Sequence, residues 1–102
     1  MIFVIAIVEL NPGRRNDFLT EFRKIVPLVR KERGCIEYLP TIDLHTDIAA
    51  QSPPRPEVVT IVEKWESLET LQAHLVAPHM EDYRPKVKPL IAKLTLQILQ
   101  SA

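Results

Sequence analysis

The sequence predicts an α+β fold in the order strand, helix, strand, strand, helix, strand, giving a four-stranded antiparallel sheet with both helices on one face. Three observations lead there. Two short runs rich in β-branched residues, 2–10 and 58–65, are each followed by apolar residues at helical spacing. Asn, Pro and Gly separate these segments sharply. The 102 residues suit one domain, spanning 1–102, with one modest core.

Residues 2–10 (IFVIAIVEL) are too short and too β-branched for a helix. Ile2, Val4, Ala6 and Val8 face one way and Phe3, Ile5 and Ile7 the other, so both faces of this strand need cover. Asn11 serves as N-cap and Pro12 as first residue of an amphipathic helix over 12–33, with Phe18, Phe22, Ile25, Val26 and Val29 as its apolar side. Gly34 stops it, and Pro27 is expected to kink it. Residues 35–43 (CIEYLPTID) alternate as a half-exposed strand with Ile36, Tyr38 and Ile42 on one face, and Pro40 places that strand at an edge. Residues 44–56 hold Pro53, Pro54 and Pro56 without any period and form the one long loop, a candidate lid or partner contact. Residues 58–65 (VVTIVEKW) form the second strongly apolar strand. Ser67 caps a helix with Leu68, Leu71, Leu75 and Val76 on one side, which Pro78 breaks or restarts before Tyr83, Val87, Leu90 and Ile91. Residues 94–99 alternate as the last strand.

With both helices on one face, the Ile and Val residues on the other side of the first and third strands would lie bare, which favours a homodimer packed sheet to sheet. Lys plus Arg equals Asp plus Glu at 13 each, so no electropositive field favours nucleic acid. The lone Cys35 excludes an internal disulfide, and no apolar run spans a bilayer, so a cytoplasmic setting and no membrane partner are expected.

Gly34-Cys35 followed by Tyr38, then Glu63-Lys64-Trp65-Glu66-Ser67 with Leu68 and Leu71, and His74-Leu75 running to Pro78-His79-Met80 together resemble the antibiotic biosynthesis monooxygenase domain family of the dimeric α+β barrel superfamily. The resemblance covers nearly the whole chain in element order. It implies a ferredoxin-like βαββαβ subunit, a homodimer forming a dimeric α/β barrel, and cofactor-independent oxygenation of phenolic, anthrone or quinol substrates. The polyketide-oxidising members use an asparagine near the tryptophan, whereas the only asparagines here are Asn11 and Asn16. The haem-degrading members carry an asparagine in strand one and a histidine about one turn beyond the position of His79. Ala6 or Ile7 and Tyr83 or Arg84 occupy those places here, which demotes haem degradation.

His74 and His79 are the candidate catalytic residues, because imidazole titrates near neutrality, each weighed against a structural role. They do not form an i,i+4 ligand pair, and no Cys, Asp or Glu at ligand spacing completes a zinc or iron site, so no metal is expected. Trp65 is either an aromatic platform for a flat substrate or a core tryptophan. Tyr38 and Tyr83 offer hydroxyls to a phenol oxygen or fix packing. Arg84 stabilises an oxyanion or pairs with Glu81. The run Arg30-Lys31-Glu32-Arg33 reads as a solvated helix face.

The first reading is a cofactor-free, homodimeric monooxygenase acting on an electron-rich aromatic. His79 or His74 would be its base, Trp65 and Tyr38 the pocket walls, and Arg84 or Tyr83 the donor. The alternative is a non-catalytic dimeric barrel binding an apolar small molecule or a protein partner, and the third reading is a haem-binding protein.

Overall fold

Strand β1 (Ile2–Leu10) runs through the interior of the sheet, as a strand without polar alternation must. The computed structural model, which describes residues 1–102, orders the sheet β2-β3-β1-β4, with β2 spanning Cys35–Thr41, β3 Val58–Trp65 and β4 Ile91–Leu99. Every neighbouring pair is antiparallel. Proline-bearing β2 lies at an edge, as Pro40 requires. The arrangement is the expected ferredoxin-like α+β fold.

Helix α1 (Arg15–Arg30) covers one face by burying Phe18, Leu19, Phe22, Ile25, Val26 and Val29 at helical spacing. It starts three residues later than expected. Asn11 to Arg14 form a turn, closed by the Arg14 N–H to the Asn11 carbonyl at 3.1 Å. The helix also ends earlier, at Arg30, and runs unbroken past Pro27. The tight turn after it reaches Gly34, whose φ of +81° suits glycine alone. A side chain there would strike Thr70.

Between β3 and β4 the helical segment is divided at Pro78, as that proline leads one to expect. Helix α2 (Leu68–Leu75) begins at Ser67, which makes a capping box with Thr70, and helix α3 (Pro78–Val87) restarts at Pro78 in the first helical position. A single 3₁₀ turn over Lys88–Leu90 leads into β4, which starts at Ile91 rather than 94. The apolar stripe expected on α2 is corrected as well. Leu71 and His74 are buried, while Leu68, Leu75 and Val76 face outward.

Strand register sorts the sheet's two faces. Val4, Ala6 and Val8 of β1 pair across β3 with Glu63, Ile61 and Val59, and together they meet the helices. On β4 the same face carries Leu94, Leu96 and Ile98, all half-exposed because no helix reaches that edge. Phe3, Ile5, Ile7 and Val62 point to the opposite face, which no helix covers. That face is more polar than the sequence suggested, since Thr60 and Lys64 interleave on β3. Lys64 places its ammonium 5.5 Å from the centroid of the Phe3 ring.

Strand β2 stops at Thr41, two residues short of expectation, and a bulge between Cys35 and Glu37 throws Ile36 outward. Residues 42–57 contain neither helix nor strand. A bidentate Asp43–Arg55 ion pair at 2.8 and 2.9 Å closes this loop on itself, and hydrogen bonds from Arg55 hold the Asp43 carboxyl down to about 2. No helix is long and apolar enough to cross a membrane.

Candidate active site

Three charged or titratable side chains that the sequence scatters over 48 residues meet at one end of the helix layer. Glu32 leaves the turn after α1, His74 occupies the last turn of α2, and His79 lies in the first turn of α3. The Glu32 carboxylate accepts from His74 Nδ1 at 2.9 and 3.1 Å and from His79 Nε2 at 2.6 Å. A carboxylate only accepts, so these two ring nitrogens carry the hydrogens. No lysine or arginine pairs with Glu32.

His74 is 2 % exposed. Its ring lies against Trp65 at 4.7 Å between centroids and meets Tyr38 edge-on at 5.4 Å. Packing and the Glu32 bond together fix which nitrogen points where. Nε2 makes no hydrogen bond, and no buried side-chain nitrogen or oxygen in the molecule lacks a partner, so Nε2 borders open space. Burial pushes the His74 pKa down against the opposing pull of Glu32, keeping the ring neutral at pH 7.

That open space is a cavity of about 790 Å³ between the sheet and α3, open toward β4. Ala6, Val8, Ile61, Leu94 and Leu96 contribute to its apolar lining, and its few polar groups include His74, Glu63, Tyr38, Tyr83 and Arg84. A largely apolar chamber with a handful of convergent polar groups is the usual form of a small-molecule site. The Tyr38 and Tyr83 hydroxyls have no side-chain partner and, like Nε2, border open space. Burial raises both their pKa values, so they stay protonated and can donate.

The other predicted residues take different places. Trp65 is fully buried behind His74 and does not line the cavity, so its role is to back the imidazole rather than to stack on a ligand. Its indole N–H donates to Glu63 Oε1 at 2.9 Å. His79 borders a smaller groove of about 190 Å³ on the other side of Tyr83. Arg84 lines the cavity, but its guanidinium hydrogen-bonds the Leu75 carbonyl at the end of α2 rather than pairing with Glu81.

Sequence reasoning missed two residues, Glu32 and Glu63. Each breaks an apolar stripe on its buried phase, and that was the available signal. Glu32 continues the series Phe18, Phe22, Ile25, Val29 at steps of four and three, and Glu63 lies between Ile61 and Trp65 on the inward face of β3. Likewise, no third metal ligand was apparent near the two histidines in sequence. The fold supplies one from α1, and Glu32, His74 and His79 offer ligand atoms all within 4.8 Å of one another.

The sequence pattern that defines the antibiotic biosynthesis monooxygenase family matches residues 1–86. The chain is 40 % identical over 102 residues to the protein named probable quinol monooxygenase YgiN of Escherichia coli K12, covering 98 % of this chain and 97 % of that one. Among solved structures, a conserved protein of Methanosarcina mazei Go1 superposes with a TM-score of 0.83 at 22 % identity, covering 99 % of this chain and 92 % of that one. An antibiotic biosynthesis monooxygenase does so with 0.82 at 20 % identity, covering 100 % and 99 %. These two structural likenesses speak for the fold.

Burial raises the Glu63 pKa from its ordinary value near 4.5 to about 7, outweighing the Trp65 hydrogen bond that favours the carboxylate. The folded state therefore binds this proton more tightly than the unfolded chain. Stability from it is fully present below pH 4.5 and drains away as the pH rises through 7. Glu63→Gln, which cannot ionise, is expected to be more stable than the wild type at pH 8 than at pH 4 by on the order of 2–3 kcal/mol. Urea unfolding at both pH values reads this, and a difference that does not change with pH contradicts it.

Proposed function

The chain belongs to the antibiotic biosynthesis monooxygenase family, and from that premise we propose that it oxygenates an electron-rich aromatic, a quinol, anthrone or similar phenolic, in the cavity beneath α3, without metal or flavin. The observation that carries this reading is His74, clamped at Nδ1 by Glu32 with Nε2 bare beside an apolar chamber. It favours His74 over His79 as the base.

His74 Nε2 removes the substrate proton, leaving an anion that gives one electron to dioxygen. The resulting radical pair combines to a carbon–oxygen bond, forming a carbon-bound peroxide anion. The imidazolium returns the proton to that anion, giving a hydroperoxide whose carbon still bears a hydrogen, and loss of water from it leaves a carbonyl. One oxygen atom of O₂ ends in the product and the other in water. Tyr38 and Tyr83 hydroxyls bind the substrate oxygen, and the apolar walls keep water from quenching the anion. Arg84, whose guanidinium is engaged with the Leu75 carbonyl, takes no part in this scheme.

Oxygen uptake with a panel of quinols and anthrones tests this. His74→Ala is expected to lower kcat about 10²–10⁴-fold, and His79→Ala, which does not line the cavity, by much less. The acid limb of the wild-type pH profile is expected below 6.5, since burial lowers the His74 pKa and only the neutral ring is a base. Wild-type rates equal to buffer across the panel would instead leave a protein that binds an apolar small molecule without turning it over.

We further infer that two copies pack their open sheet faces together, because Phe3, Ile5, Ile7 and Val62 have no cover within the chain. Sedimentation is expected to show a dimer that Ile5→Lys dissociates; a wild-type monomer at micromolar concentration would sink the inference.

A further inference from the structure

We propose that Glu32, His74 and His79 form a binding site for one divalent transition-metal ion, of which zinc is the best probe, on the side of His74 away from the cavity. The donor set is two imidazoles and one carboxylate, the kind that selects such ions over magnesium or calcium. The three ligand atoms already converge. Glu32 Oε2 lies 2.9 Å from His74 Nδ1 and 2.6 Å from His79 Nε2. Ligands around a tetrahedral zinc stand roughly 3.3 Å apart, so a small rotation of the two outer side chains makes room. Those outer side chains can rotate and admit an ion. Glu32 retains 13 % and His79 23 % of its side-chain exposure, while His74, at 3 %, is the fixed wall.

Charge favours the ion as well. Glu32 has no cationic partner apart from whatever charge the histidines take, so a neutral pair of imidazoles leaves one net negative charge at a mostly buried point. A divalent ion with three ligands from three different elements would pin the turn after α1 to α2 and α3, and water would fill the remaining positions.

Starting from neutral imidazoles, binding needs no net loss of protons. In the metal-free state His74 carries its hydrogen on Nδ1 and His79 on Nε2; a metal taking those nitrogens leaves each ring neutral with its hydrogen on the other one. For His74 the other nitrogen is Nε2, which faces the open space beside the cavity. The metal-loaded protein would thus present a donor where the metal-free one presents an acceptor, and the base would be switched off. That consequence rests on the function proposed above, whereas binding itself does not.

Calorimetric titration of the chelator-treated full-length protein with zinc reads binding alone, so its failure and the failure of the oxygenase reading are distinct results. One equivalent of zinc is expected to bind, weakened roughly tenfold or more by Glu32→Gln and by His79→Ala. His45→Ala, in the distant loop, is expected to bind as the wild type does, and magnesium is expected not to compete. His79 lies near the surface and Glu32→Gln is isosteric, so circular dichroism matching the wild type shows that lost binding is not lost folding. Absence of zinc binding by the wild type, undiminished affinity in both variants, or equal competition by magnesium would overturn the proposal.

Discussion

One carboxylate held between two imidazoles organises the working end of this molecule. Glu32 lies where α1 has ended, and its own backbone is fixed by bonds from its N–H to Val29 and from Cys35 to its carbonyl. From that fixed point it reaches His74 on α2 and His79 on α3. Helix α2 has few other reasons to sit where it does, whereas α3 also buries Met80, Tyr83 and Val87. Of the eight residues of α2 only Leu71 and His74 are buried, which is too little apolar surface to position a helix by packing alone. The polar cluster and the Ser67 cap supply the rest.

The same arrangement separates two chemical environments across one ring. On the Glu32 side His74 is hydrogen-bonded through Nδ1; on the cavity side its second nitrogen meets a chamber lined mostly by apolar side chains. Trp65 links this ring to Glu63 by stacking on the first and donating to the second, so two titratable groups of opposite tendency share one indole. Burial lowers the pKa of one and raises that of the other, favouring the uncharged form of both without any direct bond between them.

The fold was legible because its signals are periodic and local. Strand β3 was read to the residue, and Pro40 at an edge, Ser67 as a cap and Pro78 as a restart each follow from backbone chemistry alone. Boundaries slipped where a turn resembled a cap, as at Asn11 and Pro12, or where a strand outran its alternation, as at Ile91. The site was only half legible. His74, Tyr38, Tyr83 and Arg84 do line the cavity, whereas Trp65 stands behind it and His79 outside it. Glu32 was lost among Arg30, Lys31 and Arg33, since a run of charges looks solvated until helical phase is counted through it. Three groups, Glu32, Glu63 and His74, share that trait of a polar residue on a buried phase, and a contact spanning 42 residues is what turns it into a site.

The proposed chemistry requires His74 to be neutral, hydrogen-bearing at Nδ1 and bare at Nε2. Long-range nitrogen–proton NMR of the imidazoles, with His74 assigned by its loss in a His74→Gln sample, measures all three together. At pH 7 the Nε2 resonance is expected at the unprotonated position and Nδ1 at the protonated one, with titration only below pH 6.5. A ring protonated at Nε2, or an imidazolium at pH 7, would contradict it.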